Sequence, residues 1–374
     1  MADETSSSTD NIDYDADAVA RLRDLAESYR AQGKYAEAEW PLRRALEMCE
    51  ASLGADHLDT ALCLNNLAEL YKNQGRYQDA GVLHKRAFMT RRKLLGDKHP
   101  ATATSINNLA EYYESQGKYD RAEPLYRHAA AVFGEVMGAE HPNTATILNN
   151  LAELCKRQGK YAEAGALHKQ ALRIFQKSLG EMHPDTASSL NNLGELYGIL
   201  GKYDQAETLC ARALDIRARI LGPEHPSTAT CYHELAALRQ KQGKYAEAEP
   251  LYRRALTIRK KTFGAEHAHT AATVSNLAEL YKSQGKYEQA EALCIKALRA
   301  LEKTLGADHP NTATSRNNLA QIYECQGRHT EAEPLYARAL ASLESALGVQ
   351  HPSAATVRAN RDNNRMLRDQ SPRA

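Results

Sequence analysis

The sequence is short of net charge. Lys and Arg number 48 against 47 Asp and Glu, a formal balance of +1. No overall basic field exists to draw the chain onto nucleic acid or anionic lipid. Long apolar runs are also missing, and none approaches the ~18–20 residues a membrane span needs. The first stretch, Met1 to Asp17, is acidic and serine-rich. It lacks the basic and apolar regions of a signal peptide, so a cytoplasmic location is expected. The seven cysteines include no C-x-x-C pair, and all fall in helical patterns. They are read as reduced thiols filling small gaps in a core, not as a zinc or redox set. No phosphate loop, G-x-S-x-G, H-E-x-x-H or dinucleotide fingerprint is present, so neither an enzyme nor a cofactor is expected.

What the sequence has instead is repetition. Gly33, Gly75, Gly117, Gly159, Gly201, Gly243, Gly285 and Gly327 recur every 42 residues. A second set, Gly54 to Gly348, keeps the same period, and the two sets use sixteen of the 21 glycines. Glycine is thus confined to places where the backbone must turn. The length of 374 residues would suggest two or three domains, but a solenoid grows by stacking and overrides that count.

One unit runs from Ala103 to Pro142. Ile106, Leu109, Ala110 and Tyr113 form an apolar stripe at i, i+3, i+4, i+7 before Gly117. A second helix from about Tyr119 to Met137 puts Ala122, Leu125, Tyr126, Ala129 and Phe133 on one face. Small residues (Ala110, Ala122, Ala129) mark a close helix–helix approach. After Gly138 a short link leads to Pro142, with Asn143 or Thr144 as the candidate cap of the next helix. Pro124, Pro250 and Pro334 are expected near the first turn of their helices.

Leu64-x2-Leu67-Ala68-x2-Tyr71 followed by Ala80-x3-His84 and Ala87 resembles the tetratricopeptide signature, and Leu193-Gly194-x2-Tyr197 matches it more closely. The 42-residue unit, with N-N-L-A-E-L-Y, Q-G-K-Y and L-G-x-x-H-P-x-T-A, is similar to the repeats of kinesin light chains. The resemblance implies an all-α, right-handed superhelical solenoid of eight helix-turn-helix repeats over residues 18–355. Residues 1–17 are expected to be disordered, and 356–374 to form a capping helix with a disordered tail. Arg361 and Arg365 stand where core residues stood one unit earlier, as suits a cap whose outer face meets water. Kinesin light chains carry a long coiled coil ahead of their repeats. About 17 polar residues precede the repeats here, so attachment to a motor heavy chain is not expected.

Eight histidines, His57 to His351, keep the period too. Neighbouring repeats lie roughly 10 Å apart, too far for two ligands of one metal. These histidines are therefore expected to bond to backbone or cap helices.

The informative face is that of the first helices. Asn65-Asn66, Asn107-Asn108, Asn149-Asn150, Asn191-Asn192 and Asn317-Asn318 precede the turn glycine, with Asn276 in the seventh unit. Mid-helix asparagine costs several tenths of a kcal/mol against better helix formers, so something offsets it. The amides either pair with a bound peptide's main chain in a concave groove or form ladders between adjacent helices. One asparagine of each pair is free to serve each purpose. The resemblance implies the groove, since matching asparagines of kinesin light chain relatives contact cargo peptides. Glu111, Glu153 and Glu195 share this face with Glu69 and Glu279, and Lys72, Lys156 and Lys282 follow three residues after a glutamate. The glutamate row favours ligands with neutral or basic side chains. Tyr232-His233-Glu234 replaces Leu-Asn-Asn in the sixth unit, either as a specificity pocket around Tyr232 or as neutral drift. The function expected is a non-catalytic scaffold for a protein or peptide ligand. A self-associating array using its convex second helices, or a regulatory subunit of a separate enzyme, is the alternative.

Overall fold

The computed structural model describes residues 15–370, and all regular structure among them is helical. In chain order the helices are α1 (Ala16–Ala31), α2 (Glu39–Leu53), α3 (Leu58–Asn73), α4 (Tyr77–Leu95), α5 (Pro100–Ser115), α6 (Tyr119–Val136), α7 (Pro142–Arg157), α8 (Tyr161–Leu179) and α9 (Pro184–Ile199). Then follow α10 (Tyr203–Ile220), α11 (Pro226–Lys241), α12 (Tyr245–Phe263), α13 (Ala268–Ser283), α14 (Tyr287–Leu305), α15 (Pro310–Cys325), α16 (His329–Leu347) and α17 (Pro352–Gln370). Each odd helix from α1 to α15 pairs with the even helix after it. Disorder was expected up to residue 17, yet α1 starts at Ala16, capped by Asp15. Most of the remaining terminal residues for which disorder was expected lie outside the described residues.

The two glycine sets do what their period implied. All sixteen have positive φ, and no other described residue does. At the hairpin turn the α3 end shows why. Gly75 (φ +76°) donates to the Lys72 carbonyl, and Arg76 N–H reaches back to the Tyr71 carbonyl at 2.8 Å. That pair of bonds satisfies carbonyls a helix end leaves open.

The other link is organised by histidine. In all eight links, His Nδ1 accepts the backbone N–H two residues on, at 3.0–3.2 Å. His141, and neither Asn143 nor Thr144, caps α7. Thr144 serves elsewhere: its hydroxyl donates to the Gly138 carbonyl. Five other threonines at this position make the same bond to their glycine at 2.8 Å. The motif L-G-x-x-H-P-x-T-A is thus a rigid link: glycine ends one helix, histidine caps the next, and threonine ties the two.

The core is a thin layer between helices. Ala68, Ala80, Ala87, Ala110, Ala122 and Ala129 are fully buried at the close approaches. Pro124, Pro250 and Pro334 lie in the second helical turn, one turn later than expected, inside unbroken helices. Six cysteines are buried as anticipated. Cys325 is exposed, against expectation, because it closes the last turn of α15. In α17, Arg361 and Arg365 both reach Glu333.

First helices of successive repeats meet more closely than second helices do, so the array curves with the first helices inside. The curvature brings the chain back onto itself. His267, His309 and His351 lie against Gly33, Gly75 and Gly117, in each case 234 residues apart, between five and six repeats. A side-chain carbon at Gly33 would stand 2.6 Å from the His267 ring. His309 Nε2–H donates to the Asn73 carbonyl at 3.2 Å while its Nδ1 caps α15. The solenoid completes one superhelical turn and seals the next against it. We call this contact the seam.

Candidate functional site

The asparagine pairs split. Asn65, Asn149, Asn191 and Asn317 are buried between helices, at 5–8% exposure. These four were expected to line the groove. They do not, because in these four repeats the first position of the pair points toward the second helix and the next repeat; Asn107, at the same position, stays half-buried on the inner face. Asn65 Oδ1 lies 3.2 Å from His84 Nδ1, and its Nδ2 reaches Ser105. Asn149 Oδ1 lies 2.9 Å from His168 Nδ1. Asn191 donates to Cys231 Sγ, and Asn317 accepts from Asn360.

The second position faces inward. Asn66, Asn108, Asn150, Asn192 and Asn318 are half-buried. Asn150 donates to Asn107 at 3.1 Å and to Glu111 at 3.3 Å, and Asn107 donates to Glu111 at 2.9 Å. Asn318 accepts from Asn317, and Asn276 lies 2.7 Å from His233 Nε2. The amides of Asn66, Asn108 and Asn192 have no hydrogen-bond partner among the described residues. Ladder and open groove therefore coexist along one face.

The lysines of this face are rungs between repeats. Lys72 bonds Glu69 at 2.8 Å and Glu111 of the next repeat at 3.0 Å. Lys156 does the same with Glu153 and Glu195, at 2.6 and 2.9 Å. Lys282 joins Glu279 to Gln321. Burial works to lower the pKa of Lys72 and Lys156, but the two flanking carboxylates outweigh it and raise both. Burial also works to raise Glu153, while the His168 ring and Lys156 pull it below the usual carboxylate range.

A second pattern was legible in the sequence but missed. Three residues before the hairpin glycine stand Glu114, Gln240 and Glu324 in the third, sixth and eighth repeats. The second helices of those repeats carry Tyr126, Tyr252 and Tyr336, whose hydroxyls donate to them at 2.7, 3.1 and 2.9 Å. Where that position is lysine, the second helix carries His84 or His168 in the second and fourth repeats, and Cys294 in the seventh. Each histidine ring spans from a buried asparagine to a glutamate, Glu69 at 3.7 Å or Glu153 at 3.4 Å. The signal was a correlation between two positions of the unit, which a search for fixed motifs does not register.

Tyr232 is half-buried and packs against the core residues Ala229, Ala255 and Ile258. Its neighbours are less settled. His233 stacks edge-on against Tyr252 and is pushed down to about 4 by burial. Glu234 occupies a groove-asparagine position and is pushed up to about 7, by burial first and the charge of Glu195 second.

Between the two superhelical turns lies a cavity of about 590 Å³. Glu111, Asn150 and Glu153 line it from the first turn, and Asn311 and His351 from the second. It joins the inner face to the seam. Chemically the inner face offers free amides, carboxylates and few unpaired cations. The described residues contain no group of three or more metal-ligating side chains, and none of their helices is long and apolar enough to cross a membrane.

Comparison with known proteins agrees with this architecture. A family model described as tetratricopeptide repeat matches residues 18–88, 65–135, 107–177, 143–208, 185–261, 269–345 and 317–360. No curated protein matches the chain. Among solved structures, a putative kinesin light chain from Podosopora anserina with nearly identical TPR-like repeats is 29% identical, covering 55% of this chain and 98% of its own, at a TM-score of 0.46. BtubC (BKLC) from P. vanneervenii is 26% identical over 66% of this chain and 93% of its own, at a TM-score of 0.48. A Rap protein complexed with Competence and Sporulation Factor is 16% identical, covering 95% and 100%, at a TM-score of 0.57. The last likeness is one of fold. With matches from residue 18 to residue 360, the chain belongs to the tetratricopeptide repeat family.

Proposed function

We propose that this protein-interaction scaffold holds an extended peptide along its inner, first-helix face, without catalysis. The observation that carries this reading is the set of unpartnered amides at Asn66, Asn108 and Asn192. On a face where Asn107, Asn150, Asn276 and Asn318 are bonded within the chain, these three present both a donor and an acceptor to whatever lies in the groove. An amide of that kind reads main chain and tolerates varied side chains.

Charge sets the ligand's character. Glu195 and Glu279 are about two-fifths exposed, whereas Lys156 is largely covered between Glu153 and Glu195, and Lys282 between Glu279 and Gln321. A ligand thus meets carboxylate oxygens before it meets ammonium groups, which favours neutral or basic side chains.

The test is selection of displayed dodecapeptides on the immobilised chain. Enriched sequences are expected to be neutral or basic. Replacing Asn66, Asn108 and Asn192 together by Ala is expected to abolish enrichment with helicity intact. Enrichment of acidic peptides, or enrichment unaffected by the triple variant, would overturn the reading.

A further inference from the structure

The seam joins two kinds of edge. One is the histidine edge, where first helices start and second helices end. The other is the hairpin edge, with its Q-G-K-Y turns. Within the chain, the histidine edge of the last two repeats and α17 covers the hairpin edge of the first three. His267 and His309 are buried by this contact. The same two surfaces continue along the rest of the solenoid, uncovered by any of the described residues. Nothing among the described residues lies within 4 Å of where a side-chain carbon would stand on Gly159, Gly201, Gly243, Gly285 or Gly327. His57, His99, His141, His183 and His225 are exposed or half-buried. Five open hairpins and five open histidine links therefore have the chemistry of a contact the chain already makes with itself.

Two further observations mark these open edges as sticky. Apolar side chains are exposed there: Tyr161, Ile199 and Leu200 on the hairpin edge, and Met137, Met182 and Ile220 on the histidine edge. Ile199-Leu200 stands where the other hairpins carry a final glutamine, as in Asn73-Gln74, so this turn has exchanged a polar tip for an apolar one. Charge is complementary as well. Each hairpin glycine is followed by Lys or Arg, such as Lys160, Lys202 and Lys244. The histidine is preceded by Asp or Glu in five of eight links, such as Glu140 and Glu224. At the seam these rows meet, with Lys34 and Glu266 lining one gap and Arg76 and Asp308 the next.

We propose that the chain associates with a second copy of itself, head to tail, the open hairpin edge of one copy receiving the open histidine edge of the next. The contact extends the seam from one molecule to its neighbour. This places self-association on the helix ends and not on the convex second helices. Because the two edges differ, the interface is heterologous and each added copy presents a fresh edge, so assembly is open-ended. The proposal rests on the seam and is independent of any peptide in the groove.

Sedimentation equilibrium across a wide concentration range, to high micromolar, tests it. The wild-type mass is expected to climb beyond the dimer. One variant, Ile199→Ser with Leu200→Gln, restores the hairpin residues found in other repeats. A second, Met182→Lys with Ile220→Lys, places cations opposite the basic hairpin row, with Lys98 as precedent for the first. Helicity by circular dichroism is expected to be unchanged in both, since all four positions are exposed. Each variant alone is expected to associate roughly tenfold or more weakly, from the loss of two buried apolar groups. Mixed together, the two retain one intact edge of each kind and are expected to form a 1:1 dimer that grows no further. A wild-type chain that stays monomeric would overturn the proposal. So would single variants that polymerise as tightly as the wild type, or a mixture that does not pair.

Discussion

Replacing Gly75 by alanine, with Gly201→Ala as its control, separates the seam from the turn that hosts it. Both glycines close a first helix with nearly the same backbone, φ +76° and +71°. A side chain in that left-handed region costs about 1–2 kcal/mol, and this part is common to both variants. The surroundings differ. At Gly201 the new carbon enters open space, whereas at Gly75 it stands 2.9 Å from the His309 ring and 3.1 Å from Pro310 Cδ. The ring has no room to yield, because Nδ1 holds the cap of α15 and Nε2 the Asn73 carbonyl. Overpacking of this kind costs about 1–3 kcal/mol, and loss of the Asn73 bond adds about 1 kcal/mol. Gly75→Ala is therefore expected to destabilise by about 2–4 kcal/mol more than Gly201→Ala. Solenoids unfold in stages, so the comparison is best made by hydrogen exchange at residues 73–76 and 309–313 beside the global urea midpoint. Small-angle scattering is expected to show a longer particle for Gly75→Ala alone. Equal midpoint shifts, equal exchange and equal scattering profiles would refute the reasoning.

Other residues give sharper local outcomes. Tyr126→Phe removes the hydroxyl from the buried Glu114 carboxyl, whose pKa burial raises; a loss of about 1–3 kcal/mol is expected, read by chemical denaturation. His84, His267 and His309 are each held down to about 4 by burial. The unfolded chain, with pKa near 6.5, takes up these protons first, so stability is complete above that value and falls as pH drops toward 4. The slope is about 1.4 kcal/mol per pH unit for each histidine, and His309→Ser, which keeps a cap, is expected to make the acid transition shallower. Glu234 titrates at about 7, so it gains charge between pH 6 and 8. Affinity for a basic peptide selected on the inner face is expected to rise over that interval, and Glu234→Gln to flatten the profile measured by fluorescence anisotropy.

The repeat was legible because two glycine sets keep one register, and backbone geometry leaves such positions few alternatives. The helix caps were not. Asn143 and Thr144 have the side chains usual at that position, yet the imidazole of His141 stands one turn nearer the link and takes the role. The split within four of the five asparagine pairs followed from helix geometry, as adjacent residues point about 100° apart. Sequence alone did not reveal which member was buried, because both flank the apolar stripe. The seam left no local mark at all. Superhelical pitch accumulates from small angles between repeats, and no single residue near Gly75 announces a histidine 234 positions away.

The pairing of Tyr126 with Glu114, and of His84 with the lysine-bearing second repeat, has a consequence for how such arrays are assembled from parts. The two members of a pair sit on different helices of one hairpin, so a unit copied whole carries its own match. A unit spliced at the hairpin glycine instead joins strangers: tyrosine opposite lysine, or histidine opposite a buried carboxyl. Chimeras of this chain are thus expected to tolerate crossovers in the Gly-x-x-His-Pro links and to resist them in the Gly-Lys-Tyr turns. The 42-residue period has two glycines, but only one of them is a safe place to cut.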